Sequence, residues 1–382
     1  MATLEDLFGH VVIDRVISRL RGADYRVANM YEMLPGQSAV DEVPGRKFGW
    51  DVFDNTRVIA QGRTPGSAAA NVVLQPTGTV TATAYRIFEQ TALDYERVFR
   101  NRGLGLSLGS VDVRGERYIA KQMLHKTRRV MNAREFMVTR MLVDGSFKLL
   151  VQGNDVIPQA TGAGPTGGEV LVDFRHPATN KLDLADTGFG AVVWSDAASL
   201  IINDLIQLND RSEKGSRFPL EIAWCPSDIW TSITNNTQVR ETGGTANVWF
   251  NEQGFVPTRS RDPEDTGAQT PGVAFVLRGF PQIKWFIYGD NYIDDTGAVT
   301  PHIAAGQVVF TPRQSTEWLE WRAGSELVQK RENGPIEEQF GFGMWQEIVR
   351  NPLAISMFAL DNGLPAPYVP QAWFTLDTTT VV

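Results

Sequence analysis

From Asp112 to Asp144 the chain reads as one uninterrupted α-helix, and that rod limits every shape the rest can take. Ala120, Leu124, Met131, Val138 and Leu142 recur at helical spacing, with Ile119, Met123, Val130, Met137 and Met141 beside them. Asp112 is placed to cap the amino end, and Gly145 stands where a left-handed residue ends a helix. At a rise of about 1.5 Å per residue, this stretch makes a rod of roughly 50 Å. A compact chain of 382 residues has a radius of gyration of only about 21 Å. One helix therefore crosses the whole subunit, and an elongated, flattened molecule is expected around it.

Upstream of the helix lies a second unusual stretch. Thr64 to Tyr85 contains no charged side chain and is rich in Val, Thr and Ala, unlike a Gly/Ser-rich or charged flexible linker. Thr79–Ile87 has strand character, and Phe48–Phe53 with Arg57–Ala60 offers a returning limb. Gly62, Pro65-Gly66, Pro76 and Gly78 mark turns. A long β-hairpin follows from this pattern. Its small side chains build no core of their own, and an isolated hairpin is marginal in water. It is expected to lie on another copy of the protein and to be dispensable for the subunit's own fold.

The remainder is mixed. Residues up to about Gly45 read as an arm, helical over Leu4–Leu20, with Pro35-Gly36 and Pro44-Gly45 breaks and little to bury. After the long helix come strands Phe147–Gln152 and Glu169–Phe174, then a helix over Ser195–Leu208 with Ala198, Ile201, Ile202, Leu205 and Leu208 on its apolar face. A buried strand, Leu220–Trp224, precedes a short helix near Asp228–Thr234, and residues Glu241–Thr270 read as surface loop. Strands follow at Val273–Arg278, Gln282–Tyr288, Asn291–Ile293, Gln307–Thr311, Gly341–Glu347 and Ala354–Leu360, with Trp373–Val382 strand-like. Asp294-Asp-Thr-Gly297 marks a hairpin turn.

Composition narrows the function. Hydrophobic content of 42% supports a real core, while a net charge of −8 argues against a dedicated nucleic-acid binder. Cys225 is the single cysteine, which excludes an intrachain disulfide and a cysteine-built metal site. No window is apolar enough to span a membrane, and the first residues lack the pattern of a signal peptide, so a cytoplasmic protein is expected. His10, His125, His176 and His302 have no partner at ligand spacing, and Gly103-Leu-Gly-Leu-Ser-Leu-Gly109 has the wrong spacing for a dinucleotide loop. Asp294-Asp295 and Glu337-Glu338 sit in solvated surroundings. No motif points to catalysis, a metal or a cofactor.

The long helix nonetheless carries an excess of positive charge. Arg114, Arg117, Lys121, Lys126, Arg128, Arg129, Arg134 and Arg140 stand against Asp112, Glu116, Glu135 and Asp144, eight charges to four. Two readings stay open, a solvated face paired with acidic neighbours or a surface facing nucleic-acid phosphates without sequence preference. Lys121, Arg128 and Arg129 are the candidates for the second.

The order of arm, extended loop, spine helix, hairpin, α/β lobe and final strand resembles the major capsid proteins of tailed bacteriophages, in particular the lambda-type branch called the major capsid protein E family. The resemblance is carried by Gly62-Arg-Thr-Pro-Gly-Ser through Ala84-Tyr85, by Glu135–Gly145 through Phe147–Val151 and Glu169–Asp173, and most specifically by Gly289-Asp-Asn-Tyr-Ile-Asp-Asp-Thr-Gly297 running to Val308-Val-Phe-Thr311. It implies an α+β fold of the Hong Kong 97 type. Its parts would be an N-terminal arm (1–45), an extended loop (46–93), a peripheral domain (94–180) with the spine helix at 112–144, an axial domain (181–343), and C-terminal strands returning to the peripheral domain (344–382). It implies a structural protein that assembles into hexamers and pentamers of an icosahedral shell around double-stranded DNA, in the host bacterial cytoplasm and then the virion. Arg63, Thr64, Pro65, Val72, Val73, Leu74, Val80 and Tyr85 would be the inter-subunit loop contacts. Partners would be further copies, a separate scaffold protein, a portal, a decoration protein and packaged DNA, with no cofactor and no membrane. Some members join subunits covalently through a loop lysine, but no lysine lies between Lys47 and Lys121, so noncovalent joints are expected. The arm is also too short for a cleaved scaffolding segment. A nanocompartment shell of the same fold and an α/β enzyme are the alternative functions.

Overall fold

The computed structural model describes residues 25–53, 78–94, 113–152, 155–159, 169–216, 218–241, 248–249, 275–277, 280–293, 297–329, 335–350 and 353–380. Helix α1 (Arg26–Met30) leads to strands β1 (Val40–Val43), β2 (Lys47–Val52), β3 (Gly78–Thr83) and β4 (Tyr85–Asp94). The spine follows as α2 (Val113–Asp144), whose 32 residues extend about 48 Å. Met123, Val130, Met131, Met137, Val138, Met141 and Leu142 are buried along it, as the periodicity predicts. Gly145 closes the helix at φ +70°, its N–H bonded to the Met141 carbonyl at 2.9 Å. A Cβ there would stand 2.4 Å from His176 Cβ, so both conformation and space require glycine. Asp112, the expected cap, lies outside the described residues.

After the helix, β5 (Ser146–Gln152) pairs antiparallel with β6 (Asp155–Gln159) on one side and β7 (Glu169–Asp173) on the other. Strand β8 (Lys181–Asp183), helix α3 (Ile201–Gly215), strand β9 (Ile222–Cys225), helices α4 (Ser227–Asn235) and α5 (Thr237–Glu241), and strands β10 (Val248–Trp249), β11 (Phe275–Leu277) and β12 (Phe280–Ile287) form most of the α/β lobe. A small hairpin, β13 (Asn291–Ile293) with β14 (Val299–Pro301), projects before β15 (Gln307–Thr311). The lobe's sheet has the order β10-β11-β12-β9-β15-β20-β8, where β20 is Phe374–Asp377. Strand β9 is buried on both faces and runs parallel to β12, as a continuous apolar run predicts.

A second sheet stands beside the spine. It joins β1, β16 (Leu319–Gln329), β19 (Leu353–Pro367) and β18 (Gly343–Arg350), with β17 (Ile336–Phe340) on β16 and β4 on β19. Strand β4 pairs with β19 along its whole length, from Asp94↔Ala354 to Tyr85↔Gly363. One face of this sheet packs on α2, burying Met357 and Ala359, and Thr127 Oγ1 meets Met344 Sδ at 3.0 Å.

Several expectations need correction. The segment after residue 25 is core rather than loose arm, because Tyr25, Val27, Ala28, Tyr31, Met33 and Leu34 are all buried against the spine; Leu4–Leu20 lies outside the described residues. The hairpin's base is core too. Strands β2 and β3 pair from Lys47↔Thr83 to Val52↔Gly78, and their alternation sends Phe48, Trp50, Val52 and Val80 inward with Ala84 and Tyr85. The loop is therefore separable from the fold only within residues 54–77, which lie outside the described residues. Helix α3 begins at Ile201 rather than Ser195. Asp196 turns the chain first, accepting the Ala198 N–H at 2.9 Å with its side chain and the Ser199 N–H at 3.1 Å with its carbonyl. Strand pairing also crosses the 343/344 division. β16 joins β19 beside the spine, while β20 runs between β15 and β8 in the α/β lobe.

Candidate functional site

His176, His302 and Cys225 are held in packing contacts rather than gathered into a site. The His176 ring stacks on Trp373 with centroids 4.6 Å apart, and its Nε2 lies 3.1 Å from the Trp373 carbonyl. Burial holds its pKa down at about 4. His302 sits among the rings of Phe136, Tyr288 and Tyr292, and burial, then the Arg140 charge, lowers it to about 3. Cys225 is buried, which pushes its thiol up, and its Sγ lies 3.7 Å from the Phe286 carbonyl. Among the described residues no group of three His, Cys, Asp or Glu could hold a metal. An open cleft of about 450 Å3 contains Asp144, Lys181, Asp183 and Asp377. Its polar groups bond to each other and to local backbone: Lys181 to the Asp144 carbonyl, Asp183 to Ala185 N–H, and Asp377 to Thr379 and Thr380.

Three charged residues of α2 do structural work that the sequence did not disclose. Arg134 donates twice to Asp361, both at 2.6 Å, and once to the Met33 carbonyl at 2.7 Å, with its guanidinium 4.5 Å from the Trp321 ring centroid. Glu135 accepts the N–H groups of Val27 at 3.0 Å and Ala28 at 2.8 Å, at the start of α1, and the Tyr288 hydroxyl at 2.8 Å. Burial raises the Glu135 pKa, and those three donors oppose the shift. Arg140 pairs with Asp144 at 3.1 Å and donates to the His302 carbonyl. Adjacent residues of one helix thus hold the start of α1 and the turn that follows it, and tie them to β19 and to the lobe.

The same helix keeps an exposed stripe. Lys121, His125, Arg128, Arg129 and Asn132 face outward at spacings of three and four. All three candidate phosphate-facing residues stand on it. Arg129 is 74% exposed and pairs with Glu89 of β4 at 3.0 Å. One turn back, Lys126 points inward, 5% exposed, with no hydrogen-bond partner for Nζ among the described residues. Sequence reasoning singled out Lys121, Arg128 and Arg129 but counted Lys126 in the same charge excess; only the packed sheet shows that it points inward.

Apolar surface collects at separate extremities. On the β16–β17 ribbon, Leu327 and Ile336 lie diagonally on one face, 71% and 69% exposed. At the β13–β14 hairpin, Ile293 and Val299 are cross-strand partners, 72% and 68% exposed. On the sheet face turned away from α2, Phe88, Phe358 and Trp345 stack in a shelf with centroids 5.5 to 6.0 Å apart, and Phe88 is exposed. The loop leaves from the far end of that sheet. Phe53 N–H bonds the Tyr368 carbonyl at 2.9 Å, and Trp50 Nε1–H bonds Pro367 at 3.0 Å. Of the predicted inter-subunit residues, Val80 and Tyr85 are taken up by the subunit's own core. Arg63, Thr64, Pro65, Val72, Val73 and Leu74 lie outside the described residues.

This architecture has known relatives. The chain is similar to a protein assigned as the capsid protein of a prophage in E. coli CFT073, with 11% identity, 96% of this chain and 97% of that one covered, and a TM-score of 0.55. It is also similar to a phage-related protein from Bordetella bronchiseptica RB50, with 10% identity, 96% and 97% covered, and a TM-score of 0.50. These likenesses show the Hong Kong 97-type capsid fold. No curated protein matches the chain in sequence. The sequence model of the family described as phage major capsid protein E matches residues 12–376, nearly the whole length, and the chain belongs to that family.

Proposed function

We propose that copies of this chain join head to tail into hexamers and pentamers, closing an icosahedral shell around double-stranded DNA. Family membership makes the chain a capsid-forming structural protein; how its copies meet is our reading. One observation carries it, the separation of donor and acceptor features along one sheet. Nine residue steps of β19 run from Phe358 to Pro367, roughly 30 Å at strand rise. The loop departs at the Pro367 end, and the aromatic shelf opens near the middle of the strand, where Phe88 lies opposite Leu360. An extension at one place and a cover-seeking surface at another make a heterologous contact, which closes into rings when the rotation permits.

In this reading residues 54–77, including Arg63, Thr64, Pro65 and Val72–Leu74, lie over the neighbour's Phe88 shelf. The α/β lobe, residues 181–311 with β20, gathers about the local axis, and the spine and its sheet form the periphery. A scaffold protein, portal and decoration protein act alongside, with assembly in the host cytoplasm and residence in the virion. Among the described residues no helix is long and apolar enough to cross a membrane. Electron microscopy of the purified protein tests the reading. Rings or shells are expected from the unaltered chain and folded, unassembled subunits from Phe88→Asp. Unaltered chain that stays monomeric under all assembly conditions, or Phe88→Asp that assembles normally, would sink it.

A further inference from the structure

The exposed stripe of α2 has an internal counterpart. Arg129 holds Glu89 at 3.0 Å, in a pair whose arginine is largely in solvent, so the pair is weak and easily exchanged. Three residues earlier on the helix, Lys126 is buried and its Nζ has no acceptor among the described residues. A buried ammonium without a partner is costly. Glu89 lies within electrostatic reach of Lys126 and favours its charge, whereas burial and Arg129 disfavour it. Lys126 and Arg129 stand one turn apart on the same helix, and Arg129 is the one bonded to the carboxylate.

We infer that Glu89 is a shared counter-ion, passed from Arg129 to Lys126 when Arg129 takes up a phosphate of duplex DNA. The inference rests on the reading that the stripe faces packaged DNA, which its charge supports: Lys121, Arg128 and Arg129 are exposed together in a chain of net charge −8. When Arg129 swings to a phosphate, Glu89 loses its partner and Lys126 loses a like-charged neighbour. The Glu89 side chain then turns to Lys126, and the new pair serves both groups. The carboxylate never stands unpaired, and Lys126 holds its proton more firmly. Lys126 acts as a positioning residue that lowers the cost of giving up Arg129, without touching DNA itself.

The test is a double-mutant cycle on the full chain, with affinity for a short random-sequence DNA duplex read by fluorescence anisotropy over a salt series. Arg129→Gln is expected to weaken binding and to reduce the salt slope by about one. Lys126→Met is expected to weaken binding roughly three- to tenfold while leaving the slope unchanged, because no counterions are displaced at a buried site. Glu89→Gln, which frees Arg129 in advance, should tighten binding, and Lys126→Met should then have no effect in that background. Lys126→Gln serves the same purpose if the methionine variant does not fold. Equal weakening by the Lys126 change in both backgrounds, no weakening in either, or a Glu89→Gln variant that fails to bind more tightly overturns the exchange. If Arg129→Gln binds DNA as well as the unaltered chain, the DNA-facing reading itself falls, and the exchange with it.

Discussion

Arg134 and Asp361 form an ion pair with side chains 1% and 2% exposed, and such a pair is asymmetric in its consequences. Replacing both partners by apolar residues can be nearly neutral, whereas removing one strands the other charge. Asp361→Ala is expected to destabilise the subunit by about 3–5 kcal/mol in urea unfolding, with Arg134→Met/Asp361→Leu recovering most of the loss. A smaller single-mutant cost would mean that the Met33 carbonyl and Trp321 suffice for the guanidinium. Two imidazoles held down by their surroundings, one buried and one half-buried, set a pH dependence. His302 is held at about 3 and His176 at about 4, below the value of roughly 6.5 in an unfolded chain. The unfolded state therefore binds more protons below that value. The stability is complete above about pH 6.5 and is lost as pH falls toward 4 and 3. For His302 alone the loss by about pH 5 is on the order of 2 kcal/mol. The buried carboxyls of Glu135 and Asp204, raised chiefly by burial, act in the opposite sense. Unfolding free energy against pH should decline less steeply for His302→Asn than for the unaltered chain, and identical slopes would refute this.

At the scale of elements, legibility followed the range of the signal. The spine helix was readable because its period repeats over 32 residues and Gly145 marks its end locally. Strand β15 matched its expected bounds, Gln307–Thr311, because Val308-Val-Phe is an unbroken apolar run. Strand β16 was missed although its signal was present, since Leu319, Trp321 and Ala323 alternate with Glu320 and Arg322. The core role of α1 was not legible. Its acceptor, Glu135, lies 108 residues from Val27, and the Arg134 contact with Met33 spans 101. Charge on a helix reads as solvent-facing until the packed neighbours are known, which is why Arg134, Glu135 and Arg140 were counted with the outward cations although they are buried.

For the whole molecule, the division between what folds the subunit and what joins it to others falls inside the loop. Strand β3 contributes Val80 to the core and continues to buried Ala84 and Tyr85, so deleting Thr64–Ala84 would remove structure along with any joint. Replacing residues 54–77 by a short turn between Phe53 and Gly78 spares that structure and removes only the joint. That variant is expected to melt within about 1 kcal/mol of the parent, since loop length changes stability only slowly, while yielding no shells under electron microscopy. Normal shells from it would remove the loop from the assembly mechanism. Strand β20 has a different kind of consequence. It fills an interior place between β15 and β8, yet it is made of residues 374–377, after every neighbour in its sheet. During synthesis β15 and β8 therefore wait with unpaired edges, and the lobe cannot close until that last piece has left the ribosome. A message cut short anywhere before Phe374 yields a subunit with a slot through its middle sheet, which cellular proteases can recognise. The order of the strands thus ties closure of the lobe's sheet to the synthesis of residues 374–377, long after β8 and β15 have been made.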